Sequence, residues 1–114
     1  MASQYEDAGK NLMLDALGAA GVYASLHIVA GTEVTGGTPA YARIAITYAA
    51  ANAGSMAANG TLPVFNVPAC TVASVGIYSA STAGTKYATI EVTNEVFAAQ
   101  GTYTVSAGTL DLNG

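Results

Sequence analysis

From Val22 onward the chain alternates apolar and polar residues with a period of two. In VYASLHIV (22–29), Val22, Ala24, Leu26 and Ile28 fall on one phase and Tyr23, Ser25 and His27 on the other. AYARIAITYA (40–49) repeats the pattern, setting Ala42, Ile44, Ile46 and Tyr48 against Tyr41, Arg43, Ala45 and Thr47. Successive side chains of a strand point to opposite faces, so this alternation predicts half-buried antiparallel strands. Further strands are predicted at 54–59, 62–67, 70–79, 85–93 and 101–112, punctuated by Gly31, Gly36–Gly37, Asn59–Gly60, Gly84 and Gly101. About seven or eight short strands at this spacing define a mainly β fold, an antiparallel β-sandwich or small barrel.

Residues 4–20 carry a different period. Leu12, Leu14 and Leu17, with Ala8, Met13, Ala16 and Ala20, predict a short N-terminal helix with an apolar face, ending at Gly18 or Gly21. Ser3 is placed to cap it, with Glu6 as the capping-box partner. The expected organisation is an arm or helix over 1–20 and a single β domain over 21–114. The helix either covers one end of the sheet or docks onto a neighbour. Two connecting segments stand out. AGTEVTGGTP (30–39) is glycine-rich and polar, and reads as an exposed, mobile loop. AANAGSMAANG (50–60) is almost entirely Ala, Asn, Gly and Ser, and reads as an edge strand that a partner strand could extend or as an ordered arm with no core of its own.

Composition then changes what such a domain is expected to do. Only 9% of the 114 residues are charged and three are basic, whereas 52% are hydrophobic. A typical soluble domain is about a quarter charged. A surface with few ions and few long flexible side chains is cheap to bury against another protein. Three scattered cations and a net charge of −4 exclude the basic footprint of a nucleic-acid binder and attachment to anionic lipid. The apolar stretch 11–24 is interrupted by Asp15 and follows Glu6 and Asp7, so it reads neither as a signal peptide nor as a membrane span. Cys70 stands alone, which forbids an internal disulfide or a thiolate cluster and favours folding in the cytosol.

Candidate chemistry is sparse. His27 has no second histidine or carboxylate at ligand spacing, no serine lies in a nucleophile-elbow context, and the acids Glu6, Asp7, Asp15, Glu33, Glu91, Glu95 and Asp111 are dispersed. The glycine pairs match no phosphate or dinucleotide loop. The chain is therefore expected to be no enzyme and to need no cofactor or metal. Tyrosine is the better lead, because it offers rigid amphipathic contact area. Tyr48, Tyr78 and Tyr103 are expected to cap strand ends. Tyr23 and Tyr41 share the polar phase with His27 and Arg43, and these four, with Asn52, Ser55 and Asn59 of the Ala/Asn/Ser edge, are the expected partner contacts.

The succession NLMLDAL (11–17), VYASLH (22–27), EVTGGTPAYAR (33–43), ITYAAANAGSMA (46–57), PVFNVPA (63–69), VGIYSASTAGTKY (75–87) and EVFAAQGTYTV (95–105) resembles small β-sandwich virion proteins of actinobacterial tailed phages and prophages. Relatives in that group are labelled tail fibre, minor tail or minor capsid proteins. The sequence departs from the group at IVAGTEV (28–34) and at Cys70. The resemblance implies a non-enzymatic structural role in the virion and brings no catalytic residues. The leading expectation is a head-decoration or minor capsid protein that stabilises the particle. Its partners would be a major capsid protein or another virion protein and further copies of itself, as a homo-oligomer such as a trimer. The alternative is a minor tail or tail-fibre module that binds host glycan or another tail protein. A small cell-wall hydrolase is a third class.

Overall fold

The computed structural model describes residues 4–60, 62–105 and 109–113. Along them run α1 (Asp7–Ala19), β1 (Val22–Ile28), β2 (Ile44–Tyr48), β3 (Ser55–Met56), β4 (Ala58–Asn59), β5 (Val64–Val67), β6 (Cys70–Tyr78), β7 (Lys86–Phe97), β8 (Gly101–Thr104) and β9 (Leu110–Asp111). The main sheet is antiparallel, with strand order β4-β2-β1-β6-β7, and two ribbons, β3-β9 and β5-β8, complete the β structure. The fold is mainly β with one helix, as the alternation predicts.

The core forms where the ribbons and α1 meet the apolar phase of the sheet. Val22, Ala24 and Leu26 of β1, Ile46 of β2 and Val72, Val75 and Ile77 of β6 bury against Phe65 and Val67, Met56, Leu110, Val105 and Leu14. Each large side chain buried in this way contributes about 1.5–3 kcal/mol of hydrophobic transfer. A bulge at Ala73 keeps that phase continuous. The β6 partners of β1 step from Ser74, opposite His27, to Val72, opposite Ile28, so Val72 returns to the core side.

Several boundaries differ from expectation. The predicted strand 54–59 is two short strands, because β3 pairs with β9 while β4 pairs with β2. The 40–49 strand begins only at Ile44, and the 85–93 strand continues to Phe97. The predicted strand 101–112 likewise yields the separate strands β8 and β9. The proposed Ser3 cap lies outside the described residues. Glu6 holds the N-cap position without a side-chain cap bond.

The 50–60 segment does supply an edge strand, since β4 ends the main sheet, but its first part is anchored to the rest of the fold. Asp15 accepts the Ala51 N–H at 2.8 Å, Asn11 accepts the Gly54 N–H at 2.9 Å, and the Gly54 carbonyl accepts from Leu112 at 2.9 Å. The loop 30–39 is exposed at its tip yet anchored. The Gln100 side chain accepts from Thr38 N–H and donates to the Pro39 carbonyl, both at 3.1 Å. Among the described residues the long open edge of the main sheet is that of β7.

Candidate functional site

β2 pairs with β1 only as far as Ala24, so the next backbone groups of β1 need other partners. The 30–43 loop supplies them. Val34 N–H donates to the Leu26 carbonyl at 3.0 Å, and the Leu26 N–H donates to the Tyr41 hydroxyl at 2.9 Å. Tyr41 thus stands in for a missing strand, with its ring stacked on buried Phe65 at 5.9 Å between centroids.

Its hydroxyl donates onward to Glu33 Oε2 at 2.7 Å. The same carboxylate receives Arg43 in a two-pronged pair, Nε to Oε2 and Nη2 to Oε1, each 2.9 Å. Arg43 Nη1 reaches across to the β6–β7 turn and donates to the carbonyls of Ala80 (3.1 Å) and Ala83 (2.7 Å). The guanidinium lies 3.7 Å from the centre of the Tyr78 ring, and Tyr78 stacks on His27, with centroids 6.0 Å apart. His27 Nδ1–H donates to the Gly31 carbonyl at 2.9 Å, so in the neutral ring Nε2 accepts from Ser25 Oγ at 2.8 Å. Gly76 makes this stack possible. A Cβ there would lie 2.5 Å from Ser25 Oγ and 2.8 Å from His27 Nε2.

The electrostatics follow from the geometry. Burial pushes the Glu33 carboxyl up, but the hydrogen bonds from Arg43 and Tyr41, with the Arg43 charge, outweigh it and hold it below the ordinary range. Burial pushes the His27 imidazole down, against the opposing bond to Gly31, so the neutral ring is favoured. Burial likewise raises the Tyr41 phenol and the Cys70 thiol. The result is a polar clasp that ties the 30–43 loop to the β6–β7 turn. Above it lies a cleft of about 320 Å³ lined by Glu33, Thr35, Tyr41, Arg43, Ser81 and Thr82.

The structure brings His27, Tyr41 and Arg43 together, sets Tyr23 at the margin of the cluster opposite Tyr78, and keeps Asn52, Ser55 and Asn59 apart from it. His27 is not a surface histidine. It is 2% exposed, because the polar phase of β1 is covered by the clasp. The Arg43 side chain is 8% exposed, with its donors directed at Glu33 and two carbonyls. Tyr23 is half-buried beside Ala45 and Tyr78 on the same face. Asn52 and Asn59 are exposed, while Ser55 is half-buried and paired with Asp111. Sequence reasoning missed Glu33 as the centre of the network, and Ser25 and Tyr78 as its supports. The offset of ten residues between Glu33 and Arg43 belongs to no regular element, so no periodicity exposes the pair.

Among the described residues no group of three or more His, Cys, Asp or Glu converges as a metal site. No helix among them is long and apolar enough to cross a membrane. Fold and clasp together define a β-sandwich module that uses its scarce charges to fix its own loops. Residues 14–113 match the family model described as podophage GP4 fiber I protein gp80, and the chain belongs to that family. It is a bacteriophage virion structural protein. No curated protein and no solved structure matches it.

Proposed function

We propose that the protein is a non-enzymatic module of a phage tail fibre, acting through contacts with further copies of itself and with a neighbouring tail protein. The observation that carries this reading is the match of residues 14–113 to a family described by a fibre protein. That description favours the tail over the head-decoration placement expected from sequence. Charge distribution supports a protein partner. With Arg43 held by Glu33 and Lys10 donating to Asn113, the described surface offers no cationic patch for nucleic acid or anionic lipid. The lone Cys70 fits a chain that folds in the host cytoplasm before assembly. The likeness of VYASLH (22–27) and its companion segments to actinobacterial phage proteins supports an actinobacterial host. Immunogold labelling of purified virions tests the placement. Label at the tail is the expected outcome, and label spread over the head overturns it.

The cleft above the clasp favours a second role on the same module, recognition of a host glycan. Thr35, Ser81, Thr82 and Tyr41 line it beside the Glu33 carboxylate, and loops fixed on a rigid scaffold are where binding residues concentrate. On a glycan array the full chain should bind a surface sugar, and Ser81→Ala with Thr82→Ala should abolish that signal. A signal unchanged by both substitutions removes the cleft from consideration.

A further inference from the structure

The chain holds two Asn-Gly pairs, Asn59–Gly60 and Asn113–Gly114, and the fold treats their asparagines differently. Asn113 is held. Its Oδ1 accepts from Lys10 Nζ and its Nδ2 donates to the Ala53 carbonyl, each at 2.8 Å, while its backbone N–H donates to Asp111 at 2.7 Å. Asn59 ends β4, the outermost strand of the main sheet, and is exposed. Its contacts are those of the backbone, for it pairs with Thr47 of β2 and its carbonyl accepts from Thr47 Oγ1 at 2.9 Å. Among the described residues nothing holds its side-chain amide. The other asparagines, Asn11, Asn52, Asn66 and Asn94, precede residues that carry a side chain.

We propose that Asn59 is a site of spontaneous deamidation, at which the Gly60 backbone nitrogen closes onto the Asn59 side-chain amide and the residue becomes aspartate or isoaspartate. In the first step solvent base takes the Gly60 N–H proton. The nitrogen then bonds to Asn59 Cγ, and the side-chain nitrogen leaves as ammonia, which completes a succinimide ring. Water opens the ring at either carbonyl. Cleavage between Cγ and the Gly60 nitrogen leaves aspartate with the original main chain. Cleavage between the Asn59 backbone carbonyl carbon and that nitrogen leaves isoaspartate, whose main chain runs through Cβ and Cγ.

Three features favour ring closure at Asn59. Gly60 has no Cβ to shield its nitrogen, and its φ of 69° is one that a side chain would strain. β4 is two residues long, so rotation about Asn59 disturbs little paired structure. The Thr47 hydroxyl donates to the carbonyl oxygen of the very peptide that loses its proton, and a hydrogen bond to the charged form of a group favours that form. The product changes the surface where it lies. Conversion adds a carboxylate to a chain that is 9% charged and already at −4, and isoaspartate lengthens the main chain and so breaks the pairing of Asn59 with Thr47. The outer edge of the sheet, where a partner strand would add, therefore alters with age.

A time course of the full chain at mildly alkaline pH, read by peptide mass spectrometry with isoaspartate scored by enzymatic methylation, tests this chemistry. In the folded protein Asn59 is expected to convert at least about tenfold faster than Asn113. In denaturing urea, where the bonds that hold Asn113 are gone, that gap should narrow. Thr47→Val keeps the branched shape of an exposed strand residue and removes its hydroxyl, and should slow conversion of Asn59 about fivefold. An Asn59 that stays intact through the folded time course overturns the proposal, as does a ratio of the two rates that urea leaves unaltered.

Discussion

The clasp and the outer face of α1 treat polarity in opposite ways. At the clasp, Glu33, Arg43, Tyr41, His27 and Ser25 are drawn inward and satisfied by one another. At α1, Lys10, Asn11 and Asp15 bond to Asn113, Gly54 and Ala51 at the side of the helix, and its far side is Leu12, Met13 and alanine, with Tyr5 just ahead. The two hydroxyls flanking β2 make the contrast sharp. Tyr41, before the strand, gives and accepts a hydrogen bond. Tyr48, at its other end beside Gly18 of α1, has a buried hydroxyl with no hydrogen-bond partner among the described residues, and burial pushes its phenol up to about 12. A charge-poor chain thus concentrates its polar order where loops must be fixed and leaves apolar side chains exposed along its helix.

The largest test of this contrast is Arg43→Ala. It leaves Glu33 without its cation, frees two carbonyls and uncovers Tyr78, so thermal unfolding should show a loss of about 3 kcal/mol. A loss under about 0.5 kcal/mol would mean that the clasp is a surface ion pair with little effect on stability.

Acid gives the next effect. His27 is held below its ordinary 6.5, so between 6.5 and its lower folded value the unfolded chain binds a proton the folded chain refuses. Stability present above about pH 6.5 is therefore lost as the pH falls below it. Glu33, held below 4.5, contributes stability present above that value and lost as pH falls through its folded value. A melting series in His27→Gln should lack the first decline and keep the second. If the decline below pH 6.5 persists in that variant, His27 is not its source.

The smallest effects separate the two tyrosines. Tyr41→Phe strands the Leu26 N–H and removes a donor to Glu33, at a cost of about 1–2 kcal/mol. Tyr48→Phe removes a hydroxyl that has no protein partner, and should change stability by no more than about 0.5 kcal/mol or raise it. Equal losses in chemical denaturation would erase the distinction between the two regions.

Much of the sheet was legible because burial on one face imposes a period of two. Val22, Ala24, Leu26 and Ile46 were predicted inward and are inward. The helix was legible from Leu12, Leu14 and Leu17, although its sequence does not reveal that Leu12 faces out while Lys10 and Asn11 face in. The polar phase was misread at His27. Alternation identifies two faces, but it cannot tell whether the second face meets water or a returning loop. Nor could it show that the Ala/Asn/Ser segment 50–60 is held by Asn11 and Asp15, because those bonds join residues 36 or more positions apart.

By itself the sequence determined the β class, most strand positions, the helix and the poverty of charge, all properties written in local pattern and composition, while the virion character came from its resemblance to phage proteins. The tertiary structure alone decided where the few charges go. Glu33, Tyr41 and Arg43 lie in loop and strand-end positions with no repeating register, and they meet because β2 stops pairing at Ala24 and leaves Leu26 in need of a partner. The exposed face of α1 was decided the same way, since Leu14 and Leu17 enter the core while Leu12 and Met13 stay outside.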